Sequence, residues 1–410
     1  MRKILTGAKI INCVNPQPLE GHDIVIEGDH IQSIQKKPDQ NLGNGEIINL
    51  SGKTILPGLI NMHVHLIADD KKKLMSDVIS KSDEQLLLQA VKNSFLSLKS
   101  GVTTLRDCGS RNNLVNWLRD AIYQGTLAGP RIVSSGMLMT ITGGHGYYIG
   151  LEADGVDGVI KAVRSLIKNG SDFIKIMVTG GGNTPTTDKR IPSYTDSELY
   201  AAVEEAHRFG KKVAVHAHGT MGIKQSLEAG VDTIEHCSFI ADDGSRKADW
   251  DILKEIKKKN ISIVPTVSSG IRLAFQGPFT VESFDKSVKK NLDYFHKRWD
   301  LFKDQYQSGV IVLAGNDAGT MGTPHDDFMV HLEMMAALGM ENREVIDSAT
   351  CKAAKALGLE SEIGTIEEGK KADLLVVEGN PLQDIHSLRN PYLVMVGGKK
   401  VMSSDENTIN

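Results

Sequence analysis

LPGLINMHVHL, residues Leu56 to Leu66, places two histidines two positions apart in an otherwise apolar run. In an extended strand the side chains alternate between faces, so His63 and His65 point one way while Met62 and Val64 point the other. Two imidazoles on one face of a buried strand are either hydrogen-bonded core histidines or two ligands aimed at one metal ion. The rest of the chain decides between them.

Seven further strand-like runs follow: VTTLRDCG, RIVSSGML, DFIKIMVTG, KVAVHAHG, DTIEHCSF, SIVPTVSS and VIVLAGNDAG. Amphipathic stretches such as DEQLLLQAVKNSFLSLKSG, VDGVIKAVRSLIKNG and TDSELYAAVEEAHRFG lie between them, several ending in glycine as helix C-termini do. This alternation predicts an α/β chain, with a (β/α)8 TIM barrel over 56–363 whose reactive residues sit at the C-terminal ends of the strands. An open doubly wound sheet is the alternative, but no GxGxxG follows the first strand. Near the start, KILTGAKII, HDIVIEGDHIQSIQ and GEIINLSGKTILP are short β-branched runs broken by glycine turns, and GTIEEGKKADLLVVEG and PYLVMVGGKKVM repeat that style near the end. They predict one small β-sandwich domain formed by 1–55 and 364–410. A segment after the seventh strand, beginning GIRLAFQGPF, reads as an insertion made of a loop and a long amphipathic helix. Its aromatic residues are expected to pack on the barrel, with a lid role for AFQGPF the second reading.

The chain has 410 residues, a formal net charge of -4, 40% hydrophobic and 24% charged residues. That balance gives no argument for a nucleic-acid or anionic membrane partner. The start, MRKILTGAKIINC, reads as a strand and not a signal peptide, and no apolar run is long enough to span a bilayer. Cys13, Cys108, Cys237 and Cys351 are scattered without CxxC spacing, so neither a disulfide framework nor a thiolate zinc site is expected, and the cytoplasm is the expected location.

The polar residues on the strands then form a pattern. The first strand carries His63 and His65, the fourth Lys175, the fifth His216 and His218, the sixth Glu235 and His236, and the eighth Asp317. Each alone has a structural explanation, but ligand-type residues at the ends of five strands of one barrel favour a metal site. Imidazoles with a carboxylate suit zinc or a similar ion, which makes hydroxide available at neutral pH. Asp317 is placed to bind the ion and to take a proton. Lys175, desolvated, is either a Schiff-base amine or one that captures CO2. By alternation Glu235 faces away from His236 and is expected to be structural.

HxH after LPGLIN, a lysine on the fourth strand, histidines on the fifth and sixth and an aspartate on the eighth resemble the amidohydrolase superfamily, and GTIEEGKKADLLVVEGNPLQDI resembles that family's return to its β-sandwich. More narrowly, GGHGYY, DFIKIMVTGGG, VAVHAHG, IEHCSF and GNDAG resemble the group of metal-dependent Xaa-Pro dipeptidases, related carboxypeptidases and imidazolonepropionase-like proteins. The resemblance implies a carboxylated Lys175 whose carbamate bridges two divalent ions, zinc being the expected metal. His63, His65 and Asp317 would hold one ion and His216 and His236 the other. A bridging hydroxide would attack an amide carbonyl and Asp317 would pass its proton to the leaving nitrogen. The catalytic residues are then Asp317 and Lys175.

His216 and His218 share a strand face, and the family pattern makes His216 the ligand and His218 a substrate contact. His145, in the loop after the third strand, is the candidate for holding a substrate carbonyl or carboxylate, with Tyr148 beside it. Gly181, within the Gly180–Gly182 run, would let backbone approach a ligand. Phe239 stands near where some relatives carry a polar residue. The expected activity is hydrolysis of an amide in a dipeptide or an N-acyl amino acid, and the resemblance implies a homo-oligomer. The competing readings are a cyclic-amide hydrolase of imidazolonepropionase type or a deaminase, disfavoured by Lys175 and by His218 where deaminases usually carry glutamate, and a barrel scaffold without activity, disfavoured by the full ligand set.

Overall fold

A computed structural model describes residues 2–36, 45–274 and 293–404. The eight runs all carry strand. The first three lie in a three-stranded parallel sheet of Leu59–Val64, Val102–Asp107 and Arg131–Ser134. The rest of the third run, Leu138–Thr140, joins a seven-stranded parallel sheet that continues through Ile174–Met177, Val213–Gly219, Thr233–Ile240, Ser262–Val264 and Ile311–Val312, with Gly150–Glu152 at its far edge. Backbone hydrogen bonds tie the two sheets together at both ends. Met62 N donates to Ala314 O at 3.0 Å, His65 N to Ala318 O at 2.8 Å and Asp317 N to His63 O at 2.9 Å, while Asp172 N donates to Ser134 O at 2.8 Å.

Helices separate the strands where the amphipathic stretches predict them. Asp83–Lys99 and Asp196–Arg208 each begin with a capping box, Ser82 with Gln85 and Thr195 with Glu198, which satisfies amide groups that the first turn leaves free. Gly210, past the end of Asp196–Arg208, has φ +68°, a left-handed turn that glycine takes without strain. On the first strand, Ile60 and Met62 pack with Ala353 and Ala354 of the helix Cys351–Leu357, as alternation away from His63 requires. Most of the inserted loop, including all of AFQGPF after Ala274, lies outside the described residues. The helix Asp293–Gln307 that follows buries Trp299, Leu301 and Phe302 in the main core.

Two further sheets come from the chain ends. One runs His30–Lys36, His22–Glu27, Arg2–Thr6, Glu46–Asn49; the other runs Lys399–Ser403, Pro391–Val396, Leu374–Glu378, Lys53–Pro57, Lys9–Ile10. Ile4, Ile24, Ile26 and Ile31 of the first sheet and Ile10, Ile55, Leu374, Val376 and Met395 of the second are fully buried. All of these except Ile4 share one hydrophobic cluster, separate from the main core. Among the described residues no helix is long and apolar enough to cross a membrane, and all four cysteines are free.

Candidate metal centre

The strand register brings the predicted side chains together. In the parallel pairs, Lys175 lies opposite Ala214, Met177 opposite His216, and His216 opposite Glu235. Lys175, His216 and Glu235 therefore share one face. His236 follows Glu235 and alternation would turn it away, but its φ is +64°, so the left-handed backbone swings it back to the same side. Asp317 is held likewise at φ +66°. Left-handed backbone at two non-glycine residues of one site is strain that the surrounding packing holds in place.

Two groups of ligand atoms result. The Nε2 atoms of His63 and His65 lie 3.5 and 3.6 Å from Asp317 Oδ1, and these three residues form one group able to hold an ion. His216, His218 and His236 form the second. The rings of His63 and His236 bridge the groups at 5.2 Å between centroids, and His216 and His236 lie 4.5 Å apart. Burial holds His65, His216, His218 and His236 well below the usual histidine range, each helped by a neighbouring imidazole, so they are neutral and present lone pairs.

The second nitrogen of each imidazole has its own partner. His63 Nδ1 donates to Glu235 Oε2 at 2.8 Å, His65 Nδ1 to Gly109 O at 3.2 Å, and His216 Nε2 to Gly180 O at 3.2 Å. His236 Nδ1 pairs with Thr266 Oγ1 and His218 Nδ1 with Ser238 Oγ, each at 2.9 Å. Such contacts fix ring orientation and leave the opposite nitrogen for an ion. Glu235 thus corrects the expectation that it faces away as a structural residue: it orients His63 and is held by Arg106 Nη2 at 2.5 Å. Burial would raise its carboxyl, but Arg106, Lys175 and His63 outweigh that and hold it well below the carboxylate range. Arg106 also donates to Thr233 Oγ1 at 2.9 Å and Met62 O at 2.6 Å. Cys108 lies with His63 and Glu235, but burial pushes its thiol up to about 12, keeping it protonated.

Lys175 is 1% exposed and its Nζ has no hydrogen-bond partner. Burial lowers its pKa, against the pull of Glu235 and Asp317. Its charge bears on His65, His216 and His236 alike, so it stands within reach of both groups. Burial raises the Asp317 carboxyl, opposed by His63 and by a hydrogen bond from Ser269 Oγ to Oδ2 at 3.1 Å. Asp107 braces the turn after His65 by accepting from Leu66 N at 2.8 Å and Gly109 N at 3.2 Å, and burial pushes it up to about 7.

A cavity of about 460 Å³ opens over the centre, lined by both histidine groups, Lys175, Asp317, His145 and Tyr148. The His145 ring lies 4.7 Å from that of His216, and burial with nearby Lys189 lowers it to about 3. Gly182 and Asn183 line this cavity, whereas Gly181 backs the ring of His145: a Cβ there would lie 2.1 Å from His145 Nε2. Phe239 is fully buried. His218 takes its place with the ion-holding histidines, so the structure keeps it beside His216 as a candidate ligand. Of the residues that sequence reasoning passed over, Arg106 had a signal. In TLRDCG, Arg106 and Asp107 are adjacent charges in an apolar strand, so both faces of that strand needed a buried partner.

Residues 54–401 match the profile of the amidohydrolase family. The chain belongs to that family. Among solved structures, this amidohydrolase is similar to a Xaa-Pro dipeptidase with methionine bound in its active site, at 32% identity and TM-score 0.86 over 98% of this chain and 99% of the other. A prolidase complexed with N-methylphosphonate-L-proline is 28% identical, with TM-score 0.86 over 98% of this chain and 100% of the other. Ochratoxinase of Aspergillus niger is 28% identical over 371 residues, covering 83% of this chain and 73% of the relative. The chain is accordingly a hydrolase of this family with a candidate His/Asp metal site, and its relatives are enzymes named for small-molecule substrates.

Proposed function

We propose that this enzyme hydrolyses an amide bond in a dipeptide or an N-acyl amino acid at a centre of two divalent ions, zinc being the fitting metal. The observation that carries the reading is Lys175: a buried amine without a hydrogen-bond partner, within reach of two groups of candidate ligands. An amine left so is costly. Reaction with CO2 converts it to a carbamate and releases a proton, giving an anion with two oxygens that can join two cations. In this reading His63, His65 and Asp317 hold one ion, His216 and His236 the second, and carboxylated Lys175 joins them. When bound, such ions supply water ionised at neutral pH and polarise a carbonyl.

The chain's own groups do the rest. Asp317, steadied by Ser269, takes the proton of the attacking water and returns it to the leaving nitrogen, so that one amide and one water become a carboxylic acid and an amine. His145 holds the substrate's carboxylate or carbonyl from the cavity wall, with Tyr148 beside it, Gly181 backing its ring and His218 facing the same space. The similarity to a Xaa-Pro dipeptidase and a prolidase supports a dipeptide. In the same reading, the two parallel sheets joined by the bonds of Met62, His65, Asp317 and Asp172 form one (β/α)8 barrel over 56–363. The two terminal sheets with their shared core form the β-sandwich domain of 1–55 and 364–410.

The test is to reconstitute the protein with zinc, count bound metal, and assay a library of dipeptides and N-acyl amino acids for released amino acid. Turnover with two ions per chain is expected. Silence across the library with two ions bound overturns the amide-hydrolase reading.

A further inference from the structure

One wall of the cavity carries positive charge that the reaction does not use. Among the described residues, besides Lys175 at the centre, the charged side chains lining the cavity are Lys189, Arg298 and one carboxylate, Asp317. Arg298 is fixed by two backbone carbonyls, donating from Nη1 to Ser269 O at 3.0 Å and from Nη2 to Thr266 O at 2.5 Å. Those bonds aim the guanidinium without neutralising it. Tyr294, also in the lining, has the Arg246 guanidinium 4.6 Å and the Arg298 guanidinium 5.6 Å from its ring centre. Nη1 of Arg246 is buried without a hydrogen-bond partner. Lys189 Nζ sits beside Gly182, where an added Cβ would lie 3.3 Å from it.

None of Lys189, Arg246 and Arg298 has an ion pair with a described residue. Two carboxylates nearby in sequence are engaged elsewhere: Asp188 pairs with Arg190 at 2.6 Å, and Asp243 accepts from Ser245 N at 2.8 Å. The three cations act on the centre and on each other's surroundings, since Lys189 and Arg246 both bear on His218 and Asp317 bears on Arg298. Burial would raise the Tyr294 phenol, yet Arg298, Lys189 and Arg246 together hold it down at about 8. Three cations without an ion pair among the described residues, beside a candidate centre for divalent ions, repel one another and lose hydration. A partner with anionic oxygens relieves both costs, and guanidinium groups bind carboxylate in paired hydrogen bonds.

An ordinary dipeptide brings one carboxylate, which His145 already accounts for. We propose that the wall of Lys189, Arg298 and Tyr294, with Arg246 against the Tyr294 ring, is a specificity pocket for a second carboxylate, so that the preferred substrates are dipeptides or N-acyl amino acids carrying a glutamate or aspartate side chain. The inference rests on the amide-hydrolase reading and names its substrate class.

The experiment compares isosteric pairs on the zinc-loaded full chain: Ala-Glu against Ala-Gln, and Glu-Ala against Gln-Ala, the two pairs telling which residue of the substrate the wall receives. The acidic member of one pair is expected to have kcat/KM at least tenfold above its amide. Lys189→Glu and Arg246→Glu, checked for retained metal and fold, should bring that ratio to one or below. Calorimetric binding of free glutamate and glutamine, products that carry no N-acyl bond to cleave, to the zinc-loaded protein reads the wall without turnover, the acidic ligand being expected to bind at least tenfold tighter. Hydrolysis of both pairs without preference, or equal binding of the two ligands, overturns this proposal and leaves the amide-hydrolase reading standing. Silence on all four dipeptides together with tighter glutamate than glutamine binding supports the wall and counts against the amide chemistry.

Discussion

Glu235 and His63 are 172 positions apart in sequence and share a hydrogen bond of 2.8 Å between strands of the two parallel sheets, with Arg106 on the far side of the carboxylate. The chain Arg106–Glu235–His63 sets a buried carboxylate, held by an arginine, at the back of a candidate ligand. An anionic acceptor behind an imidazole fixes its tautomer and makes the opposite nitrogen a better donor.

Glu235→Gln keeps the shape and removes the charge, leaving Arg106 buried without its carboxylate. Metal affinity is expected to fall roughly 10- to 100-fold, and stability by about 3–5 kcal/mol, the cost of breaking a buried pair. Metal content against free zinc and a denaturant midpoint measure the two. Wild-type affinity in the variant would mean that Glu235 serves the fold alone.

Lys175→Ala should lose most of the bound metal and nearly all turnover, and short carboxylates such as acetate or propionate should restore part of both by filling the vacated space. Metal analysis with and without added carboxylate reads this directly. Full activity in the unrescued variant would sink the carbamate bridge.

The contrast between Glu235 and His236 shows what the sequence discloses. His63 with His65, and His216 with His218, obey the two-residue period of a strand, so the common face of each pair is visible from spacing alone. Glu235 also keeps the register, but His236 does not: its φ of +64° breaks the period, so placing Glu235 by alternation from His236 puts it on the wrong face. Asp317 was identifiable by residue type, but its left-handed backbone was not. The cationic wall is harder still: Lys189, Arg246 and Arg298 sit on three separate segments, and only the folded strands bring those together. Lone cations in loops read as solvated, which is true of Arg190, salt-bridged to Asp188 at the surface.

Asp317→Asn retains an oxygen for the ion but cannot carry the proton. Turnover is expected to fall by about 10²- to 10⁴-fold, the usual weight of a general base, with a much smaller loss of metal. Parallel measurement of kcat and metal content separates the two roles. An unchanged kcat would remove Asp317 as the proton carrier.

The cations around Tyr294 give a pH dependence with a definite sign. Below about 8 the phenol is neutral and the wall keeps its three positive charges; above it, the phenolate cancels one of them. The preference for an acidic over an isosteric amide substrate should therefore decline as pH rises through about 8. Taking the ratio of kcat/KM values removes the ionisation of the metal-activated water, which both substrates share. Tyr294→Phe should flatten the profile. A ratio that stays level in the wild type would show that Tyr294 does not titrate against the wall.

Gly181 and His145 give the last test, because they separate a ligand contact from a structural one. A methyl group at 181 cannot coexist with the His145 ring in its present place, since the new carbon would lie 2.1 Å from Nε2. Gly181 has no left-handed φ, and the three atoms nearest to the new carbon all belong to the His145 ring. Gly181→Ala should thus displace the ring and reproduce much of His145→Ala: lower kcat/KM for substrates with a free carboxylate, a smaller effect on their amides, and metal content near wild type. The double variant should be no worse than His145→Ala alone, because the ring that the methyl group displaces is gone. Additive losses in the double variant would mean that Gly181 acts on the site by another route, and an equal loss for carboxylate and amide substrates would return His145 to a packing role.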